Sequence, residues 1–315
     1  LSSPQGISYA EGIVYVADTG NGRIQRYGDN GVFLSTLAIE SAVANKGLEE
    51  KKVAYRLDKP VAVALDAGGQ IYVLDASASL FSDRSQVKIY AQDGSFLRTL
   101  PKNGKPVAMQ MALDGILVSD QEGFAIQKYD ASGRMVSYFG SQGDGRGQFQ
   151  SLSGLALDGG QVFVGDRERG GIHHFRTSAP ASGAATPKQT AFPYARWEQS
   201  LAAAAGKMAW DGKDSLYAVA RDKSALLRLR NGASEEMPLK DIAPTALAFD
   251  KAGALWVLDQ RKARLSKLDG AGQALLSLGS SGSRNGQFNE PADFAISSEG
   301  NLYVADSGNS RIQAF

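Results

Sequence analysis

The chain has 315 residues, of which 43% are hydrophobic and 36 are glycine, so it can bury a sizeable core and is not a disordered chain. Lys and Arg total 34 against 33 Asp and Glu, which excludes a chain-wide electrostatic pull toward nucleic acid or acidic lipid. With no cysteine, disulfides, thiolate metal sites and cysteine nucleophiles are excluded, and no redox compartment is specified.

In chain order the predicted elements are short strands that repeat. Residues 13–27 read IVYVADTGNGRIQRY and residues 301–315 read NLYVADSGNSRIQAF, two near-copies separated by most of the chain. Weaker copies lie at 70–75 (QIYVLD), 115–120 (GILVSD), 161–166 (QVFVGD), 215–220 (SLYAVA) and 254–259 (ALWVLD). A small-residue strand led by proline precedes most of them, as in PVAVALD from Pro60 to Asp66 and PTALAFD from Pro244 to Asp250. Gly, Asp and Asn turns punctuate each copy, which is the chemistry of antiparallel meanders. A lone sheet of four short strands cannot bury both faces, whereas sheets stacked on one another can. No apolar stretch is long enough to span a bilayer and no charged-then-apolar leader opens the sequence. The start at Leu1 and the stop at Phe315 inside a predicted strand lead us to expect a soluble domain of a longer chain, in an unspecified and conceivably extracytoplasmic compartment.

The succession Pro-x-Gly/Ala-apolar, Tyr-Val-Ala-Asp, Asn-x-Arg-Ile-Gln, and then Gly-Gln-Phe at 147–149 and 286–288 closely resembles the NHL repeat. The resemblance covers nearly the whole chain and is weakest in the fifth copy. It implies an all-β toroidal propeller, often six-bladed in that family. The seven copies here predict a seven-bladed β-propeller as one domain over 1–315, with blades at roughly 1–37, 57–100, 105–142, 152–200, 205–238, 243–279 and 290–315. The last blade is expected to have three strands unless more chain follows. The Asp ending each second strand and the Arg five places on recur as Asp18/Arg23, Asp259/Arg264 and Asp306/Arg311. Both are absent from the fifth copy, at Ala220 and Ala225, so the pair is expected to brace a turn.

Function is expected where the repeat is broken. The small residue opening each inner strand becomes Lys207 in the fifth copy and Asp293 in the seventh, and Gln110 and Ser8 replace alanine one step deeper. These four are candidates for a ligand site at the channel mouth; an ion pair closing the ring is the other reading. Insertions at 38–56, 76–86 and 178–206 are expected to decorate one face, offering Leu80, Phe81, Tyr194 and Trp197 as anchors. Arg167, Arg169, Arg221 and Arg261 form a weak basic sector interleaved with acids, too mixed for a nucleic-acid stripe.

Catalysis has little sequence support. A metal-dependent lyase of the amidating kind, which the fold resembles, would need several histidines, and His173 and His174 on adjacent strand positions point to opposite faces. A lactonase-like calcium site would need more carboxylates than Asp293 at the strand openings. The expectation is therefore a noncatalytic, monomeric platform for a protein or peptide, with no cofactor, metal or catalytic residue. Small-molecule or glycan binding is the alternative, and propeller lyase or hydrolase chemistry or RNA binding comes third.

Overall fold

The computed structural model describes residues 1–37, 57–76, 85–101, 104–112, 114–158, 160–177, 195–202, 207–220, 225–230 and 233–315, with the backbone alone at 158 and 195–202. It is an all-β, seven-bladed β-propeller, built from seven antiparallel sheets. The first sheet runs β1 (Ile7–Ala10), β2 (Ile13–Asp18), β3 (Arg23–Gly28), β4 (Phe33–Leu37), and the second β5 (Pro60–Leu65), β6 (Ile71–Asp75), β7 (Gln86–Tyr90), β8 (Phe96–Thr99). The third holds β9 (Pro106–Ala112), β10 (Gly115–Asp120), β11 (Ala125–Tyr129) and β12 (Met135–Phe139). The fourth holds β13 (Leu152–Asp158), β14 (Gln161–Asp166), β15 (Gly171–Thr177) and β16 (Ala195–Ala202). Next come β17 (Met208–Trp210), β18 (Ser215–Val219), β19 (Ala225–Arg230) and β20 (Ala233–Pro238). The sixth sheet is β21 (Ala246–Phe249), β22 (Leu255–Asp259), β23 (Arg264–Leu268) and β24 (Ala274–Leu278). The seventh has three strands, β25 (Pro291–Ile296), β26 (Leu302–Asp306) and β27 (Arg311–Ala314), as the repeat predicted.

The chain forms two compact units, one of residues 1–100, 258–266 and 277–315, the other of 101–257 and 267–276. In the first, the earliest and latest blades meet. Ile7, Val14 and Val16 pack with Ala295 and Tyr303, the Tyr9 and Tyr303 rings stack at 6.0 Å, and the Tyr303 hydroxyl donates to the Asp29 carbonyl at 2.7 Å. Gly6 is small because a Cβ there would lie 2.5 Å from the Val61 carbonyl of the neighbouring blade. In the second unit, Phe139, Phe149, Leu155, Val164 and Phe175 form one apolar layer, and Tyr217, Leu226, Leu247 and Val257 belong to another. Second strands are buried along their whole length, which explains why these read as near-continuous apolar runs instead of alternating ones.

One expected insertion is partly a strand. Residues 178–206 were read as an insertion decorating one face, yet β16 lies inside them and pairs with β15 from Gly171↔Ala202 to Thr177↔Ala195. Residues 178–194 therefore join the third and fourth strands of one blade. Their anchors sit at the end of the sheet marked by the Thr177 amide donating to Gly160, opposite the Asp166–Gly171 turn, so the three insertions do not all leave from one edge. No glycine or asparagine immediately follows Thr177 in the sequence, so the tight-turn signal of a hairpin is missing there. No helix among the described residues is long and apolar enough to cross a membrane.

Candidate functional site

In every blade but the fifth, the turn after the second strand is fixed by the Asp that ends it. Asp18, Asp75, Asp120, Asp166, Asp259 and Asp306 are all at most 3% exposed. A buried carboxylate must be fully bonded, and these are bonded largely by backbone. Asp306 accepts from the Asn289 amide at 2.6 Å, Asn309 Nδ2 at 2.9 Å, Arg311 Nε at 2.8 Å and Gln313 Nε2 at 3.0 Å. Asp120 accepts from the Lys105, Glu122 and Gly123 amides and from Gln127 Nε2 at 3.0 Å. Asp75 accepts from the Asp58 and Lys59 amides and from Lys88 Nζ at 3.0 Å. Each carboxylate thus ties the segment leading into the first strand to the third strand or to the turn before it. The Arg partners are present in the first and last blades, at 2.6 Å for Asp18–Arg23 and 2.8 Å for Asp306–Arg311. Asp259 accepts from the Lys262 amide at 3.0 Å, and Arg264 opens the next strand.

The sequence reading missed the second member of this clamp, two residues beyond the Arg position. It is Gln25, Lys88, Gln127, His173 and Gln313 in blades one, two, three, four and seven, all at most 9% exposed. In the fifth blade Leu227 stands there, beside the loss of the Asp at Ala220. The signal was legible as the Gln that recurs seven places after Asp18, Asp120 and Asp306.

Two connecting loops carry the Gly-Gln-Phe motif. Phe149 and Phe288 are fully buried, and parallel bridges Gln142↔Phe149 and Ser281↔Phe288 close the loops. Arg169 binds the Asp144, Gly145 and Gln148 carbonyls from its guanidinium, and Arg311 binds those of Arg284 and Gln287. Arg169, a candidate partner contact, is thereby engaged within its own blade. Arg167 and Glu168 beside it are exposed, as are Arg261 and Lys262.

At the inner strands, Ser8 is half-buried opposite Tyr15 and Asp293 half-buried opposite Ala305, both in the first unit. In the second unit Gln110 is exposed opposite Leu117, and exposed Lys207 accepts the Val219 amide at 3.3 Å through its carbonyl. Leu80, Phe81, Tyr194, Arg221, all of 38–56 and most of the other two insertions lie outside the described residues, and Trp197 is described by its backbone on β16. The two imidazoles face opposite ways. His174 stacks on Phe163 at 4.6 Å, whereas His173 meets the edge of Phe149 at 5.1 Å. Burial and the nearby Arg169 push the His173 pKa down to about 4, against the pull of Asp166. Among the described residues no three His, Asp or Glu side chains gather as a metal would require.

The NHL repeat family matches residues 1–27 and 288–315, the two copies that read most alike. No curated protein matches the chain. Among solved structures it is similar to a streptogramin B lyase, with 16% identity over 99% of this chain and 93% of that one and a TM-score of 0.68. It is similar to virginiamycin B lyase from Staphylococcus aureus at 14% identity, 97% and 92% coverage and a TM-score of 0.67. A 6-phosphogluconolactonase-like protein from Bacteroides fragilis gives 18% identity, 99% and 89% coverage and a TM-score of 0.62. At these identities the likeness is one of fold. It nonetheless overturns the expectation that the chain is no enzyme: the same architecture carries lyases, and the histidine count against one amidating type of lyase does not speak to the others.

Proposed function

We propose, from the premise that this chain is a seven-bladed β-propeller of the NHL-repeat family, that it recognises a protein or peptide through the turns between its second and third strands. The observation that carries the reading is the set of buried aspartates behind those turns. Each carboxylate accepts backbone amides from the turn, from the lead-in segment or from both, and charge-assisted bonds of this kind contribute about 1.5–3 kcal/mol each. Turns held this way lose little entropy on binding, which is how preorganised surfaces gain affinity. Beside these turns Arg167 and Glu168 are exposed in one unit and Arg261 and Lys262 in the other, and charged contacts of both signs suit a protein rather than a phosphate backbone. The test uses affinity capture with the intact protein beside Arg167→Glu and Arg261→Glu variants whose folding is verified by circular dichroism. A specific partner lost by at least one variant supports the reading. A partner held equally by both removes it.

A second reading, turnover of a small molecule, is favoured by charge at two separate inner-strand openings, Lys207 in one unit and Asp293 in the other, where the other copies place Gly or Ala. Virginiamycin B and a phosphorylated sugar lactone, each with and without added divalent metal, are the substrates to try first. Activity abolished in Lys207→Ala or Asp293→Asn would move the chain to the enzyme class.

A further inference from the structure

The fourth blade departs from the others in a way neither reading uses. Where Gln25, Gln127 and Gln313 stand in three other clamps, it has His173, 1% exposed, with Nε2 3.9 Å from Asp166 Oδ2. That same carboxylate accepts the Gln150 amide at 2.8 Å, the Ser151 amide at 3.0 Å and the Arg169 amide at 3.3 Å. Arg169 in turn holds the connecting loop by the carbonyls of Asp144, Gly145 and Gln148. The loop presses back on the imidazole with Phe149, which is fully buried. One side chain therefore touches both the carboxylate that anchors the loop's end and the aromatic that plugs it.

We propose that His173 makes the fourth-blade clamp a proton-operated latch, which releases the 140–150 loop and the 167–170 turn when the surroundings acidify. Among the described residues, the charged groups that act on the imidazole include Asp166 from β14 and Arg169 from the turn after it. The loop contributes Asp144, 3.9 Å from Arg169 Nε, and faces the imidazole itself with Phe149. A proton added to His173, itself 1% exposed, places a second cation beside Arg169. It also brings an N–H donor to Asp166 Oδ2, in competition with the Gln150 amide. Opening the loop hydrates the imidazolium and relieves both conflicts. A glutamine cannot respond in this way, because its amide stays neutral through the same range.

The molecule contains its own control. The 279–290 loop has the same Gly-Gln-Phe motif, with Phe288 buried, Asp306 as anchor and Arg311 on its carbonyls, but Gln313 at the histidine position. Hydrogen–deuterium exchange on the intact chain, corrected for intrinsic rates, compares the two loops at about pH 7 and about pH 5. Protection of the Gln148 and Phe149 amides should fall by about 20-fold between the two, as follows when opening returns the imidazole from about 4 to its ordinary 6.5. The Gln287 and Phe288 amides should hold steady, and in His173→Gln both loops should. If both loops of the unsubstituted protein loosen together, if neither does, or if the acid response persists in His173→Gln, the latch is refuted. No binding partner enters the measurement, so its failure leaves the recognition reading untouched.

Discussion

Replacing Lys88 puts the clamp logic to a quantitative test. The ammonium lies 3.0 Å from Asp75 Oδ2 with both side chains 2% exposed, so it is a buried ion pair within the second blade. Lys88→Ala leaves the carboxylate buried without its cation, and such losses cost about 3–5 kcal/mol. The Asp58 and Lys59 amides continue to bond Asp75, which places the expected cost near the lower end, at about 3 kcal/mol. Lys88→Gln should cost only about 1 kcal/mol, because Gln127 and Gln313 already serve Asp120 and Asp306 at 3.0 Å in the same place. The fifth blade suggests a third variant. It has Ala220 and Leu227 at the two positions, so Asp75→Ala with Lys88→Leu should destabilise by well under the sum of the single losses. Urea unfolding followed by tryptophan fluorescence measures all of these as midpoint shifts at constant slope. If Lys88→Gln costs as much as Lys88→Ala, or if the single losses simply add in the double variant, the clamp is not the unit described.

Acid should weaken the fold through His173. Its pKa is about 4 in the fold against an ordinary 6.5, so the stability present above 6.5 is lost as the pH falls through that interval, about 3 kcal/mol in all. Urea midpoints against pH should show His173→Gln losing that part of the slope, and identical slopes would count against it. Arg311→Ala removes the contacts to the Arg284 and Gln287 carbonyls and should destabilise by about 2 kcal/mol, with little rescue by Arg311→Lys, since an ammonium cannot span the carbonyls and Asp306 together. Gly22 and Ser310 sit at matching turn positions with φ of 60° and 54°, but a Cβ on Gly22 would meet the Leu57 carbonyl at 2.5 Å. Gly22→Ser should therefore cost about 2 kcal/mol or more, and Ser310→Gly should gain up to about 1 kcal/mol in thermal unfolding.

The blade count was legible because every copy keeps an apolar second strand and all but the fifth follow it with Asp. The Asp18–Arg23 and Asp306–Arg311 pairs were legible from the same spacing. Lys88 and His173 were not read as partners of Asp75 and Asp166, because the clamp position accepts Gln, Lys or His. The three share the capacity to donate a hydrogen bond, but no sequence letter. β16 escaped because Thr177 and Ala195 pair across residues 178–194, too far apart in sequence to give a hairpin signal. Arg169 was grouped with Arg167 in a basic sector, whereas the carbonyls that recruit it come from a loop more than twenty residues earlier.

The meeting of the earliest and latest blades has a consequence for synthesis. Ile7, Val14 and Val16 are made well before Ala295 and Tyr303, which cover them. The Tyr303–Asp29 bond joins residues 274 positions apart. The second unit, drawn from 101–257 and 267–276, can mature on the ribosome as it appears, while the first must wait. A nascent chain halted before residue 300 has the second blade to lie against Tyr15 and Ala17 but lacks Tyr303, so the cover of Ile7, Val14 and Val16 stays incomplete until the last blade is made.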